Sequence, residues 1–71
     1  MKRYEIHLCQ EYKGFYSCLA KERPDKIIEC CFNTNKEAIH YTLDKLLEAS
    51  KKYEHAVLFN NKGDSLIFIQ R

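Results

Sequence analysis

The chain has 71 residues, of which 45% are hydrophobic and 31% charged, and its formal net charge is +2. These values predict a single domain, residues 1–71, and exclude a disordered chain and a deep active-site cavity. No stretch approaches the ~18 consecutive apolar residues of a membrane span. No apolar signal-peptide core follows Met1, so we expect a cytoplasmic protein with four reduced cysteines.

Three strands are predicted in the first half of the chain. Residues 3–12 alternate between two faces, as a strand with one buried face does. A tight turn leads to a second strand over residues 15–21. A second turn, centred on Pro24 and Asp25, leads to a third strand over residues 27–32.

A capping box marks the start of a helix. Thr34 and Glu37 have the Thr-x-x-Glu spacing in which the hydroxyl accepts from a backbone N–H and the carboxylate reaches back to the cap N–H. The helix is predicted over residues 35–53. Its core-facing stripe is predicted to consist of Ile39, Thr42, Leu43, Leu46, Leu47, Ser50 and Tyr53.

A hairpin is predicted after the helix. Residues 56–59 are apolar on both sides, which is typical of a strand covered on both faces. A loop with Gly63 at a left-handed position leads to a last strand over residues 66–69. The predicted fold is therefore α+β, an antiparallel sheet in the order β-β-β-α-β-β with one amphipathic helix packed on one face.

The turns predict how the first three strands pair. A two-residue loop at 13–14 places Tyr12 opposite Phe15 and Leu8 opposite Leu19. The second turn places Leu19 opposite Cys30, and likewise Ser17 opposite Phe32. Both registers predict the same apolar face under the helix: Ile6, Leu8, Phe15, Leu19, Ile28, Cys30 and Phe32.

The same registers place three cysteines in a row on the opposite face. Cys9, Cys18 and Cys31 would lie side by side with His7 one step along, which suggests either a zinc site or simple packing. Packing is favoured, because the chain has no closely spaced C-x₂₋₄-C pair and a free cysteine behaves as a small hydrophobe. No Gly-rich phosphate loop or Ser/His/Asp arrangement is evident, so we predict no enzyme, no metal and no cofactor.

The second sheet face is unusually apolar for a surface that one helix leaves uncovered. A contiguous exposed apolar patch usually marks an interface; the alternative is that the sheet twists and closes on itself enough to hide most of the patch. We therefore predict association with another protein or a second copy of the chain through the uncovered sheet face or edge. The candidate interface residues are Tyr16, Cys18, Ile27, Cys31 and Phe59.

Nucleic-acid binding is the alternative. Basic residues alternate with tyrosines that could stack on bases, although four acids lie in the same segment. The candidate contacts are Lys2, Arg3, Lys13, Lys21, Arg23 and Lys26.

Three families have a similar layout. The segment from Gly14-Phe15-Tyr16 through Phe32-x-Thr34-x-x-Glu37-Ala38 resembles the arm-type DNA-binding domain of tyrosine recombinases, a resemblance that implies a sheet entering the DNA major groove. It is also similar to small HicB-type antitoxins. The whole chain most resembles an uncharacterised family of small bacterial domains with three strands, a helix beginning Thr-x-x-Glu-Ala-Ile and a terminal hairpin.

Overall fold

The computed structural model describes residues 1–12, 15–16 and 26–71. Within them the chain forms six strands and one helix. In chain order these are β1 (Lys2–Cys9), β2 (Glu11–Tyr12), β3 (Phe15–Tyr16), β4 (Lys26–Phe32), α1 (Asn35–Glu48), β5 (His55–Asn60) and β6 (Ser65–Gln70).

Four of the strands form one antiparallel sheet in the order β4-β1-β5-β6. Strand β1 lies in the interior of the sheet, so Ile6 is opposite Ile28 on one side and Leu58 on the other. Strands β2 and β3 form a separate two-stranded sheet. The α+β class with a single helix is therefore confirmed for the described residues, but the main sheet has four strands and the predicted order is wrong in detail.

The predicted pairing of the first strands is correct only next to the turn. Tyr12 is opposite Phe15, as predicted. Leu8 is opposite Lys26 and Ala56, so its predicted pairing with Leu19 is wrong. The physical reason is that a strand has two edges, and at Leu8 both edges of β1 are already taken by β4 and β5. The predicted partners Ser17 and Leu19 lie outside the described residues.

Thr34 caps α1 as predicted. Its backbone is extended, and its hydroxyl oxygen accepts from the backbone N–H of Glu37 at 3.3 Å. The Glu37 carboxylate accepts from the same hydroxyl, also at 3.3 Å, and this contact replaces the expected bond to the cap N–H. The helix begins where it was predicted to begin.

We expect Thr34→Ala to lower the free energy of unfolding by about 1 kcal/mol, because the first turn then loses a hydrogen-bond acceptor. Thr34→Ser is the control, since it restores the hydroxyl and should recover most of the loss. Urea unfolding followed by circular dichroism measures both. Equal stability of the alanine and wild-type proteins would contradict the capping role.

The helix ends at Glu48, earlier than the predicted residue 53, and Arg71 caps this end. The Arg71 backbone N–H donates to the carbonyl of Glu54 at 2.8 Å. Its guanidinium donates to the last carbonyls of the helix and those just beyond, those of Leu46, Leu47, Ala49 and Ser50. A cation there also suits the negative end of the helix dipole. Arg71, the residue that follows β6, thus caps the end of a helix that lies more than twenty positions earlier in the chain.

The main core lies between α1 and one face of the sheet. The helix contributes Ala38, Thr42 and Leu46, and the Thr42 hydroxyl is satisfied by the Ala38 carbonyl at 2.7 Å. The central strands contribute Tyr4, Ile6, Leu8, Ala56 and Leu58. Ile28, Cys30 and Phe32 of β4 pack against this cluster, so the predicted apolar face is confirmed for the members whose side chains are described. The side chain of Phe15 and the whole of Leu19 lie outside the described residues.

The second face of the sheet is also partly buried. His7, Cys9, His55, Val57 and Phe59 are all buried there, and three of them form a second apolar cluster: Cys9, Val57 and Phe59. The prediction that this face stays open is therefore wrong at these positions.

The three cysteines that the structure describes are not all in the same oxidation state. Cys9 is disulfide-bonded, so the prediction of reduced cysteines is wrong for this residue, which lies fully buried in the second cluster. Cys30 and Cys31 carry free thiols. Burial, together with the neighbouring Cys31, raises the pKa of the Cys30 thiol above its ordinary value, so that thiol is a poor nucleophile.

A tight loop joins β5 to β6. The side-chain oxygen of Asn60 accepts from the backbone N–H groups of Lys62 and Asp64, both at 2.9 Å. Gly63 has φ of 83°, the left-handed conformation predicted for it. The loop therefore holds a fixed shape at one end of the sheet.

Candidate interaction surface and cleft

Strand β6 forms one edge of the main sheet and is strongly apolar. Its central residues, 66–69, include no charged side chain. Ile67 and Ile69 are half-buried against the main core, and Phe68 is exposed on the other face. An edge strand with these properties is the kind that pairs with another strand.

One flank of α1 adds to this edge. Tyr41 contacts Phe32 of β4, with the ring centroids 5.0 Å apart, so that flank of the helix faces the β4 edge. Successive helical residues turn by about 100°, which places Leu43 and Leu47 on the other flank, towards β6. Both are exposed, Leu47 at 63%. We call Leu43, Leu47 and residues 66–69 the β6 surface.

The helix leaves room above β6. The helix packs mainly on β5, β4 and β1, so β6 is the strand of the main sheet that the helix covers least. The Arg71 contacts hold the end of β6 close to the end of the helix. The exposed leucines therefore lie on the flank of the helix that is turned towards the β6 edge.

The opposite edge of the sheet is β4, which carries charged side chains. Ile27 is 48% exposed and Cys31 is exposed, but Lys26 and Glu29 place charges along the same strand. Charges of this kind discourage edge-to-edge pairing. Of the candidate interface residues whose side chains are described, Ile27 and Cys31 share this strand and Phe59 is buried at 7% exposure, so these three do not form one exposed patch. The side chain of Tyr16 and the whole of Cys18 lie outside the described residues.

The described candidate nucleic-acid contacts are spread apart. Lys2 and Arg3 are exposed at the start of β1, whereas Lys26 is opposite Leu8 near the other end of that strand. About 3.3 Å per residue separates positions along a strand, so the two groups lie at opposite ends of the sheet. Lys13, Lys21 and Arg23 lie outside the described residues. Nucleic-acid binding stays a prediction.

The predicted row of cysteines is wrong for Cys9 and Cys31, and Cys18 lies outside the described residues. Cys31 is opposite Arg3, whereas Cys9 is opposite His55, so the two cysteines lie far apart along β1. Within residues 1–12, 15–16 and 26–71, no group of three or more His, Cys, Asp and Glu side chains could hold a metal ion.

A cleft of about 400 Å³ opens on the second face, where β1 begins and β5 ends. Its lining includes Arg3, Glu5, His7, Glu29, Cys31 and Phe59, and the loop after β5 forms part of its rim. Glu5 and Glu29 are directly opposite on neighbouring strands. His7 Nε2 lies 3.0 Å from Glu5 Oε1, and because a carboxylate only accepts, Nε2–H is the donor.

Sequence reasoning missed both of these sites. The β6 surface had one readable signal, the absence of charge in residues 66–69. The cleft had no readable signal in the sequence, because Arg3, Glu5 and Glu29 come together only through the β1–β4 register.

In comparisons with known proteins, no family model, no curated protein and no solved structure gives a significant match to this chain. The three resemblances in layout therefore stay predictions. Among the helical residues that the structure describes, none belongs to a helix long and apolar enough to cross a membrane.

Proposed function

We propose that this chain is a small non-enzymatic binding module that associates with a second copy of itself through the β6 surface. The observation that carries the proposal is an uncharged, half-buried edge strand on the side of the sheet towards which an exposed apolar helix flank is turned. The edge strand is uncharged over residues 66–69, and the helix flank beside it exposes Leu43 and Leu47. Burial of such a surface is the usual driving force for association.

The geometry of an edge strand favours a second copy as the occupant. A two-fold axis normal to the sheet would align β6 antiparallel with the same strand of the second copy, an arrangement in which edge donors and acceptors match. The same axis keeps both helices on one side of the combined sheet. Leu43 and Leu47 would then face the same residues of the second helix.

Charge supports self-pairing at β6 over β4. A two-fold axis brings only the side chains closest to it near their own copies, so a charge at the axis meets a like charge. Residues 66–69 avoid this repulsion for any axis among them because none is charged, whereas an axis at Lys26 or at Glu29 on β4 would bring like charges together. The β6 edge is therefore the better candidate.

The expected affinity is moderate. The chain exposes 4990 Å² in total, and a standard interface takes about 800 Å² from each partner. One strand edge with one helix flank is a small contact by that measure. We expect a dissociation constant on the order of micromolar.

Sedimentation velocity over a concentration series tests the proposal. We expect the wild-type mass to approach twice the 8.5 kDa of one chain as concentration rises. Leu47→Glu should weaken association by about tenfold or more, because the two glutamates would face each other in the dimer. Leu47 is exposed, so the variant should still fold, and circular dichroism checks this.

Ile27→Glu is the matched control, because Ile27 is exposed on the other edge of the same sheet. It should leave the dissociation constant within about twofold of the wild-type value. A wild-type chain that stays monomeric at about 100 μM would refute self-association. Loss of association in Ile27→Glu but not in Leu47→Glu would place the interface at β4 instead.

A further inference from the structure

Two carboxylates face each other across the cleft. Glu5 of β1 and Glu29 of β4 are directly opposite, and like charges in this position destabilise a sheet. Among the described residues the ion pairs are His7 with Glu5 and Lys45 with Glu48, so Glu29 takes part in neither. A cationic group between the two carboxylates would remove their repulsion.

A hydrogen bond from a buried histidine holds the Glu5 carboxylate in place. His7 is buried, and its Nε2–H donates to Glu5 Oε1 at 3.0 Å. The imidazole in turn packs on Phe59, with ring centroids 4.5 Å apart. This support fixes one carboxylate oxygen and leaves the second oxygen of Glu5 for a ligand. Glu5 is thus a fixed part of the cleft wall, and Glu29 lines the same cleft.

Arg3 supplies the opposite charge at a suitable distance. It lies two residues before Glu5 on the same face of β1, about 7 Å away along the strand. It lines the same cleft and forms no ion pair with either glutamate. Hydrogen bonds of about 2.8 Å at each end would let a short group carrying both an ammonium and a carboxylate span this gap.

We propose that this cleft binds a zwitterion of the amino-acid class. The ligand ammonium lies between Glu5 and Glu29, its carboxylate accepts from the Arg3 guanidinium, and its side chain lies against Phe59. The volume of about 400 Å³ lies within the range of small-molecule sites. The lining of the cleft includes none of the residues of the β6 surface, so this proposal does not depend on self-association.

Backbone amide NMR titration with three probes tests the site. L-leucine carries both charges, butylamine carries only the ammonium, and butyrate carries only the carboxylate. We expect L-leucine to give saturable shifts at Arg3, Glu5, Glu29 and the loop after β5. Butylamine and butyrate should each bind at least about tenfold more weakly. Equal affinity for L-leucine and butylamine would overturn the zwitterion assignment.

Variants identify the contacts. Glu29→Gln and Arg3→Gln should each lower the affinity for L-leucine by about tenfold or more. Both side chains are exposed, so both variants should fold, and unchanged amide positions outside the cleft confirm that they do. Lys2→Gln and Glu54→Gln are charge-matched controls outside the cleft and should bind as the wild type does. No saturable shift up to about 10 mM, or full affinity in both cleft variants, would overturn the proposal.

Discussion

Leu46→Ala is expected to unfold a large fraction of the protein, whereas Leu47→Ala should leave it folded. The two leucines are neighbours in α1, but Leu46 is 0% exposed and Leu47 is 63% exposed. Truncating a buried leucine costs about 2–5 kcal/mol, because apolar burial is lost and a cavity remains. A domain of this size has about 3–5 kcal/mol of stability in total. The loss at Leu46 is therefore comparable with the whole stability of the fold.

Urea unfolding measures the difference, and Leu47→Ala is its matched control. The same chemical change at an exposed position should alter the free energy of unfolding by about 0.5 kcal/mol or less. Both variants should be compared at a concentration low enough to keep the wild type monomeric, so that association does not contribute to apparent stability. Similar losses at the two positions would mean that the helix presents a different face to the sheet.

The contrast between these leucines also shows where prediction from sequence reaches its limit. Helical periodicity places Leu43, Leu46 and Leu47 in one apolar stripe, because all three are hydrophobic and closely spaced around the helix. Which of them is buried depends on which strands lie beneath the helix. The helix covers β5, β4 and β1 more closely than β6, so the flank towards β6 stays open. That arrangement is a property of the tertiary structure.

Local signals were read correctly. The Thr34 cap depends on atoms within one helical turn, and the Gly63 turn depends on one backbone angle, so a few residues determine each of them. The pairing of Tyr12 with Phe15 is equally local. Extending that register to Leu8 failed, because β4 and β5 compete for the edges of β1 and come from distant parts of the chain.

The candidate sites were harder to predict for the same reason. Glu5 and Glu29 belong to different strands, and a different register would have separated them. The end of α1 illustrates the same limit, since its cap comes from Arg71, more than twenty positions further along the chain. The apolarity of the second face was visible in the sequence, but its cause was ambiguous between an interface and a second buried cluster.

Phe59→Glu should unfold the protein, although Phe59 was a candidate interface residue. Its side chain is 7% exposed, packs on His7 and belongs to the second apolar cluster. Removing a buried phenylalanine side chain costs about 3–5 kcal/mol. A glutamate at this position would in addition leave a carboxylate in an apolar environment, which is a further cost. The sum exceeds the stability expected for a domain of this size.

Circular dichroism spectra and thermal unfolding of three variants check this prediction. Phe59→Leu keeps an apolar side chain of similar shape and should remain folded with a lowered melting temperature. Ile27→Glu introduces the same charge at a position that is 48% exposed on the same sheet face, and it should change stability little. A folded Phe59→Glu protein that has lost only its ability to associate would show instead that the second face opens in solution, and it would restore Phe59 as an interface residue.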